Sequence, residues 1–367
     1  MTKEELYDEI VKMFPVTSYK SNFRARVDEI LNDYCNCIKE LDSTEQPEDW
    51  DEIVNRTNIL CDAIKRSQTM ELQGLRSSAF TIIKNQLDGY TNNLKKAVSG
   101  LASDQNILEL PQDSVFYRMR DVDVSERRKL NNKDLFHIPL DKRGIVKTQR
   151  YSVPGYPCLY LSHTVYGCWE EMGRPNFGTI MASKFVTKVP IRVLDLRIPT
   201  KDKWNDANGF ANSIKYFPLI LSSMIQVKNE QDTYKPEYTL PQILTEWVIK
   251  HNYKNYKFPN KIIYGIAYTS AHINDDFNFP EDCNDNIALP VHIQGVSPKW
   301  KLCPILSKVF CATPPTYYDL EALKHNSSGI AWHNLDIDPK VDNFKTSHFG
   351  LMQGFLNYYE CSEFLED

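Results

Sequence analysis

The chain is 367 residues long, enough for about two domains with a sizeable core in at least one, and its apolar (42%) and charged (25%) fractions are those of an ordinary globular protein. A formal net charge of −5 argues against a dedicated nucleic-acid binder, because neutralising phosphate needs a basic face, though a local basic patch is compatible with it. Nine cysteines with no Cys-x-x-Cys and one close pair, Cys35-x-Cys37, match neither a disulfide framework nor a zinc site and are expected to be reduced cytoplasmic thiols.

The first residues, MTKEELYDEIVKMF, are acidic and lack an apolar core segment, so no signal peptide is expected. Nowhere does an apolar run approach the roughly 20 residues that span a bilayer. A soluble cytoplasmic protein without a membrane partner is the expectation. Thr2 with Glu5 has the form of a capping box, and Phe23, Val27, Ile30, Leu31, Tyr34, Ile38 and Leu41 recur at three- and four-residue steps, the signature of an amphipathic helix. Trp50, Ile53, Val54, Leu60 and Ile64 continue the pattern after a loop at Ser43–Pro47, and Leu72, Leu75, Ile83, Leu87, Tyr90, Leu94 and Val98 read as a third helix. Three or four such helices make a small all-α bundle. The boundary falls in Gly100–Gln112, which predicts a helical domain over 1–108 and a second domain over 109–367, the first serving regulation, assembly or self-association.

From Ser114 the pattern changes to short β-prone runs: Val115–Met119, Leu159–Leu161, Ile180–Val186, Ile191–Leu196, Ile262–Tyr268 and Val291–Gln294. Helical stretches intervene at Val165–Met172, Leu219–Val227 and Gln242–Lys250, and Phe344, Phe349, Leu351, Met352, Phe355 and Leu356 predict one or two C-terminal helices. Without a regular strand-helix alternation, the expected class is α+β, a mixed β core with surrounding helices.

The richest stretch for chemistry is Arg150–Glu171, RYSVPGYPCLYLSHTVYGCWEE. Cys158–Leu161 reads as a strand, and Thr164 can cap a helix that carries Glu171, so that Tyr160 and Glu171 can face one cleft. Glu170 is adjacent. Consecutive helix positions point about 100° apart, so only one of the two carboxylates can be aimed at that cleft. On a strand, Arg118 and Arg120 share one face and Tyr117 and Met119 the other.

This stretch, together with Phe116-Tyr117-Arg118-Met119-Arg120, Leu240-Pro241-Gln242-Ile243-Leu244-Thr245-Glu246-Trp247 and Gly265-Ile266-Ala267-Tyr268-Thr269-Ser270, resembles the RES domain, a family of bacterial toxins with an ADP-ribosyltransferase-like fold that degrade NAD+. Arg118, Glu171 and Ser270 fall in the order of the arginine, glutamate and serine for which that family is named, and the interval from Tyr160 to Glu171 is also the family's. The resemblance covers roughly 114–296 and leaves residues 1–110 unmatched.

What the resemblance implies is cleavage of the nicotinamide-ribose bond of NAD+ by phosphorolysis or hydrolysis, in a toxin or defence effector whose cleft is blocked by an antitoxin. NAD+ is then the substrate, inorganic phosphate a co-substrate, and no cofactor or metal is required. Nicotinamide leaves as a neutral molecule, so no proton need be delivered, and the group required is a carboxylate beside the cationic ribose. Glu171 is the candidate. Arginine's planar fork suits phosphate oxygens, which makes Arg118 first choice with Arg120 and Arg150 in support; a surface arginine is the alternative in each case. Tyr160 offers a ring for stacking and Ser270 a hydroxyl for phosphate, the alternatives being a core tyrosine and a plain strand-end hydroxyl. Asn176 is a weaker contact candidate, better read as a turn residue. The histidines form no His-x-x-x-His pattern, and there is no Walker loop or Gly-x-Gly-x-x-Gly. Transfer of ADP-ribose to a protein or small acceptor, or a non-catalytic module that senses a nucleotide, are the competing readings.

Overall fold

The computed structural model describes residues 1–17, 22–89, 106–123, 125–272, 281–293, 300–317 and 344–364. In chain order these form α1 (Lys3–Val11), α2 (Phe23–Lys39), α3 (Trp50–Leu72), α4 (Arg76–Leu87), β1 (Ile107–Leu110), β2 (Val115–Asp121), β3 (Cys158–Ser162), α5 (Val165–Glu171), β4 (Ile180–Thr187), β5 (Ile191–Leu196), α6 (Lys201–Asn205), α7 (Ala207–Ser223), α8 (Thr239–Asn255), β6 (Gly265–Thr269), β7 (Asp285–Pro290), α9 (Pro304–Val309), β8 (Phe310–Ala312), β9 (Thr316–Tyr317), α10 (His348–Asn357) and β10 (Ser362–Glu363). The class is α+β with the helices leading. Tyr90, Leu94, Val98, Gln294 and residues 100–105 of the expected boundary segment lie outside the described residues.

Contacts divide the chain into two compact units. One comprises Met1–Leu108, Thr148–Val153 and Val193–Ala271; the other Glu109–Lys147, Pro154–Arg192 and His272–Asp367. The break between Leu108 and Glu109 is one of several, and residues 1–108 share their unit with 148–153 and 193–271. The apolar face of α2 is completed by α7, where the Tyr34 hydroxyl donates to the Ile214 carbonyl at 2.7 Å and Tyr34 lies against Phe217. Trp50 of α3 stacks on Phe210 of α7, and the Trp247 indole of α8 donates to Asp88 just after α4 at 2.8 Å. β5 and β6 run parallel in this unit, from Val193↔Gly265 to Leu196↔Tyr268.

The capping box at Thr2 and Glu5 forms, and every α2 position read as apolar is buried. Leu72 and Leu75 depart from expectation. The chain turns at Gly74, whose φ of +79° suits glycine, so both leucines flank a turn and are about half exposed instead of lining a helix face. Helix α7 begins twelve residues earlier than its apolar run suggested, at an Asp206 cap whose carboxylate accepts from the Gly209 N–H at 2.7 Å, and it continues through Pro218. The strand expected at Val291–Gln294 is instead β7, just upstream.

The second unit is built on antiparallel strands in the order β7-β3-β2-β4-β8-β10, with β9 also on β4. One face is covered by α5 and α10: Tyr117 and Met119 of β2 pack with Val165, Tyr166 and Cys168 of α5 and Phe349, Met352 and Leu356 of α10. The other face carries Phe116 and Phe185, cross-strand partners, with Phe136 and Phe364 stacked beside them. With aromatic side chains on both faces of the sheet, the central strands β3, β4 and β7 are almost entirely buried, while β2 is exposed at both ends.

Candidate functional site

Helix α5 starts where the sequence predicts. The Thr164 hydroxyl accepts from the Gly167 N–H at 2.9 Å and donates to the Cys283 carbonyl at 3.0 Å, capping the helix and tying it to the segment before β7. Gly167 is needed for that seat, since a Cβ there would sit 2.7 Å from the Cys283 carbonyl oxygen. The helix is two turns long, and its last two residues diverge. Glu170 is buried at 4% exposure and paired with Arg174 at 3.0 Å. Glu171 is exposed, and its Oε1 accepts from the Asn286 amide at 3.1 Å. Asn286 lies on β7 opposite Ser162 of β3, is itself buried, and its Oδ1 has no hydrogen-bond partner. A rigid strand amide therefore orients the carboxylate that faces solvent.

Arg118 is the second element of the site. Its Nη1 donates to the Tyr160 carbonyl at 3.0 Å, its Nε is sealed from solvent without a partner, and it makes no ion pair with any described carboxylate. Burial accordingly holds its pKa below the usual arginine value. Neighbours register the charge. The Cys168 thiol, buried in α5, is pushed up to about 12 by burial, with Arg118 pulling it down and Glu171 pushing it up, so both charges act on one point. His137 is lowered to about 4, by burial first and by Arg118 as well. It stays a neutral ring whose Nδ1–H donates to the Ile138 carbonyl at 2.8 Å while Nε2 accepts from the Cys303 N–H at 2.8 Å. Alternation along β2 sends Arg118 out with Phe116 and Arg120, away from the Tyr117 and Met119 face that carries α5. Arg118 and Glu171 thus come from opposite sides of that strand.

Tyr160 is half-buried on β3 opposite Ala288. Arg120 is exposed and donates to the Asp134 carbonyl at 3.1 Å. Asn176 accepts from the Gly178 N–H at 2.7 Å, a turn role. Ser270 and Arg150 belong to the unit that holds the N-terminal helices. Ser270 directly follows β6 and is buried at 1% exposure. Arg150 donates to the Ser223 and Ile225 carbonyls at 2.8 and 3.1 Å and lies over the Tyr238 ring, which makes it a clasp on the end of α7 instead of a free phosphate ligand. Sequence reading singled out neither Asn286 nor His137. The first has no signal of its own, and the second differs from the other histidines only in its tertiary surroundings.

No family model matches the chain, so the RES resemblance rests on its motif residues, and no solved structure matches it. Among curated proteins, one of Bacillus subtilis (strain 168) named "Putative toxin YopC" is 32% identical over 346 residues, covering 86% of this chain and 74% of the relative. The chain belongs to the YopC family. A match over 86% of the chain cannot be confined to the segment 114–296, so it also takes in part of the leading helices. No helix among the described residues is long and apolar enough to cross a membrane. Among those residues, no group of three or more histidine, cysteine or acidic side chains is placed to hold a metal.

Proposed function

We propose that this member of the YopC family is a toxin that consumes NAD+, with Glu171 as the carboxylate that stabilises the cationic ribose and Arg118 as the cation that receives phosphate oxygens. The observation that carries the reading is the contrast between the two carboxylates of α5. Glu170 is buried against Arg174, while Glu171 is presented to solvent on an amide from a neighbouring strand. A half-buried guanidinium with a sealed Nε, one carbonyl contact and no counter-ion among the described residues is a second support, because such a charge is stabilised most by an anion arriving from outside.

As nicotinamide departs, its glycosidic nitrogen takes the bonding pair and positive charge is left on the ribose. A carboxylate about 4 Å from that charge contributes up to about 4 kcal/mol at an effective dielectric near 20, roughly a thousandfold in rate. The exposure of Glu171 means that bound substrate must displace water for the effect to reach this size. Tyr160 supplies a ring face for nicotinamide or adenine, and Arg120 lies on the Arg118 side of β2 to extend the anion site. The cation is captured by phosphate or water, giving phosphorolysis or hydrolysis; capture by a protein side chain would make the protein an ADP-ribosyltransferase. The fold of the β-rich unit is taken to be ADP-ribosyltransferase-like, and the partner to be an antitoxin.

Phosphorus NMR of NAD+ incubated with the full chain, with and without inorganic phosphate, tests the proposal. The expected result is release of nicotinamide with the pyrophosphate signal kept in ADP-ribose, and, where phosphate captures the cation, a new phosphomonoester signal that appears only when phosphate is added, all of it insensitive to chelator. Binding of NAD+ without turnover at high protein concentration would instead identify a nucleotide sensor.

A further inference from the structure

Two thiols outside the candidate site meet across the first helical pair. Cys35 on α2 and Cys61 on α3 are hydrogen-bonded with their sulfurs 3.5 Å apart. Cys35 is partly open to solvent, while Cys61 is buried at 1% exposure. The pair is held by a rigid frame: Tyr34 next to it is fully buried, with burial first and then Cys61 and Cys35 raising its pKa, and α2 and α3 are packed face to face. The hydrogen bond shared with Cys61 favours a thiolate on Cys35 first, and the nearby Lys65 and Lys39 add to it against burial and Asp62. The Cys35 thiol is lowered to about 7, whereas Cys61 is raised well above the ordinary thiol value by that same hydrogen bond and by burial. Reactivity and access thus coincide on one sulfur, and a second sulfur waits behind it.

The contrast with Cys37 is informative. It lies on the same helix two residues on, so it points to a different side, is as open as Cys35, and is pushed up to about 11 by burial and then by Glu9 and Glu40. Exposure alone therefore does not single out Cys35. A structural thiol pair would be expected to have both sulfurs sealed and neither biased toward the thiolate.

We propose that Cys35 and Cys61 form a dithiol modification site whose substrate class is a small disulfide. The Cys35 thiolate attacks one sulfur of RS–SR, forming Cys35–S–S–R and releasing RS⁻. Cys61 then loses its proton, its thiolate attacks the Cys35 sulfur, and the second RS⁻ leaves. The protein loses two hydrogens and two electrons, and RS–SR becomes two RSH. The two sulfurs are already within 3.5 Å, so forming the roughly 2.05 Å bond of a disulfide brings them about 1.5 Å closer. The product ties α2 to α3; Glu171 and Arg118 belong to the other unit.

The test uses the reduced full-length protein with oxidised glutathione, quenched in acid at intervals, alkylated under denaturing conditions and read by peptide mass spectrometry. The expected course is a transient glutathione adduct on Cys35, followed by a Cys35–Cys61 linked peptide that dithiothreitol reverses. Cys61→Ser should stop at a stable Cys35 adduct, and Cys35→Ser should leave Cys61 unmodified. Preferential labelling of Cys37 in wild-type protein, or a Cys35 adduct that persists there with no link to Cys61, overturns the proposal. Because the decisive signal is a covalent link in the wild-type chain, misfolding of a variant cannot mimic or hide it.

Discussion

The contrast between Glu170 and Glu171 makes the sharpest predictions at the scale of single residues. Glu171→Gln keeps the shape and removes the charge, so turnover of NAD+ should fall by about a thousandfold while affinity stays within a few fold, as isothermal titration and nicotinamide release will show. Glu170→Gln should leave turnover nearly intact but lower stability by about 1–2 kcal/mol, because a buried carboxylate loses its charged partner while Arg174 remains half exposed to water. If Glu170→Gln were the dead variant, the catalytic assignment on α5 would be wrong. Asn286→Ala should cost turnover about tenfold with little change in Tm, the size expected from losing a charge-assisted hydrogen bond that orients a group. His137 adds a pH dependence. Its folded pKa, about 4, lies below the ordinary 6.5, so the native state disfavours the proton. Stability from this group is full above about pH 6.5, declines as pH falls through that window, and is gone by about pH 4, a total of about 3 kcal/mol. Denaturant melts between those pH values should show the loss in the wild type and a flatter profile in His137→Gln.

At the scale of elements, α5 is a two-turn helix that would not persist alone, so its caps and seat decide whether Glu171 is presented at all. Thr164→Ala removes both the cap to Gly167 and the bond to Cys283, and should lower stability by about 1 kcal/mol or somewhat more. Serine at that position should recover most of the loss in a denaturant titration. The turn between α3 and α4 is similar in kind: Gly74→Ala must force a φ of +79° on a residue with a Cβ, at a cost of about 1 kcal/mol, although open space surrounds the site.

At the scale of the molecule, the grouping of residues 193–271 with the N-terminal helices changes what a truncation should do. Expressed alone, residues 109–367 would retain α7 and α8 without the helices that cover them, exposing Phe210, Phe217, Leu221 and Trp247. The fragment should be aggregated or poorly cooperative in size-exclusion chromatography and thermal melts, whereas the full chain gives a sharp transition. A soluble, cooperatively folded 109–367 fragment would show that the β-rich unit and the 193–271 segment need no help from the N-terminal helices.

Local chemistry was legible in the sequence. The period of α2, the Thr2 box, the Thr164 cap and the strands at Val115, Cys158, Ile180 and Ile191 are each written in residues adjacent along the chain, where backbone sterics and short-range hydrogen bonds act. So was the fact that only one of Glu170 and Glu171 can face outward, since it follows from helix geometry. Which of them does so was decided by Arg174 and by Asn286, the latter 115 positions away from Glu171 in the chain. The same holds for α7, which a proline and a weakly apolar start disguise until packing against α2 and α3 stabilises it, and for Arg150, which looks free in sequence and is held by the end of α7. Side-chain periodicity encodes which face an element buries. It does not encode what that face meets, because burial and desolvation depend on atoms brought together only when the chain closes on itself.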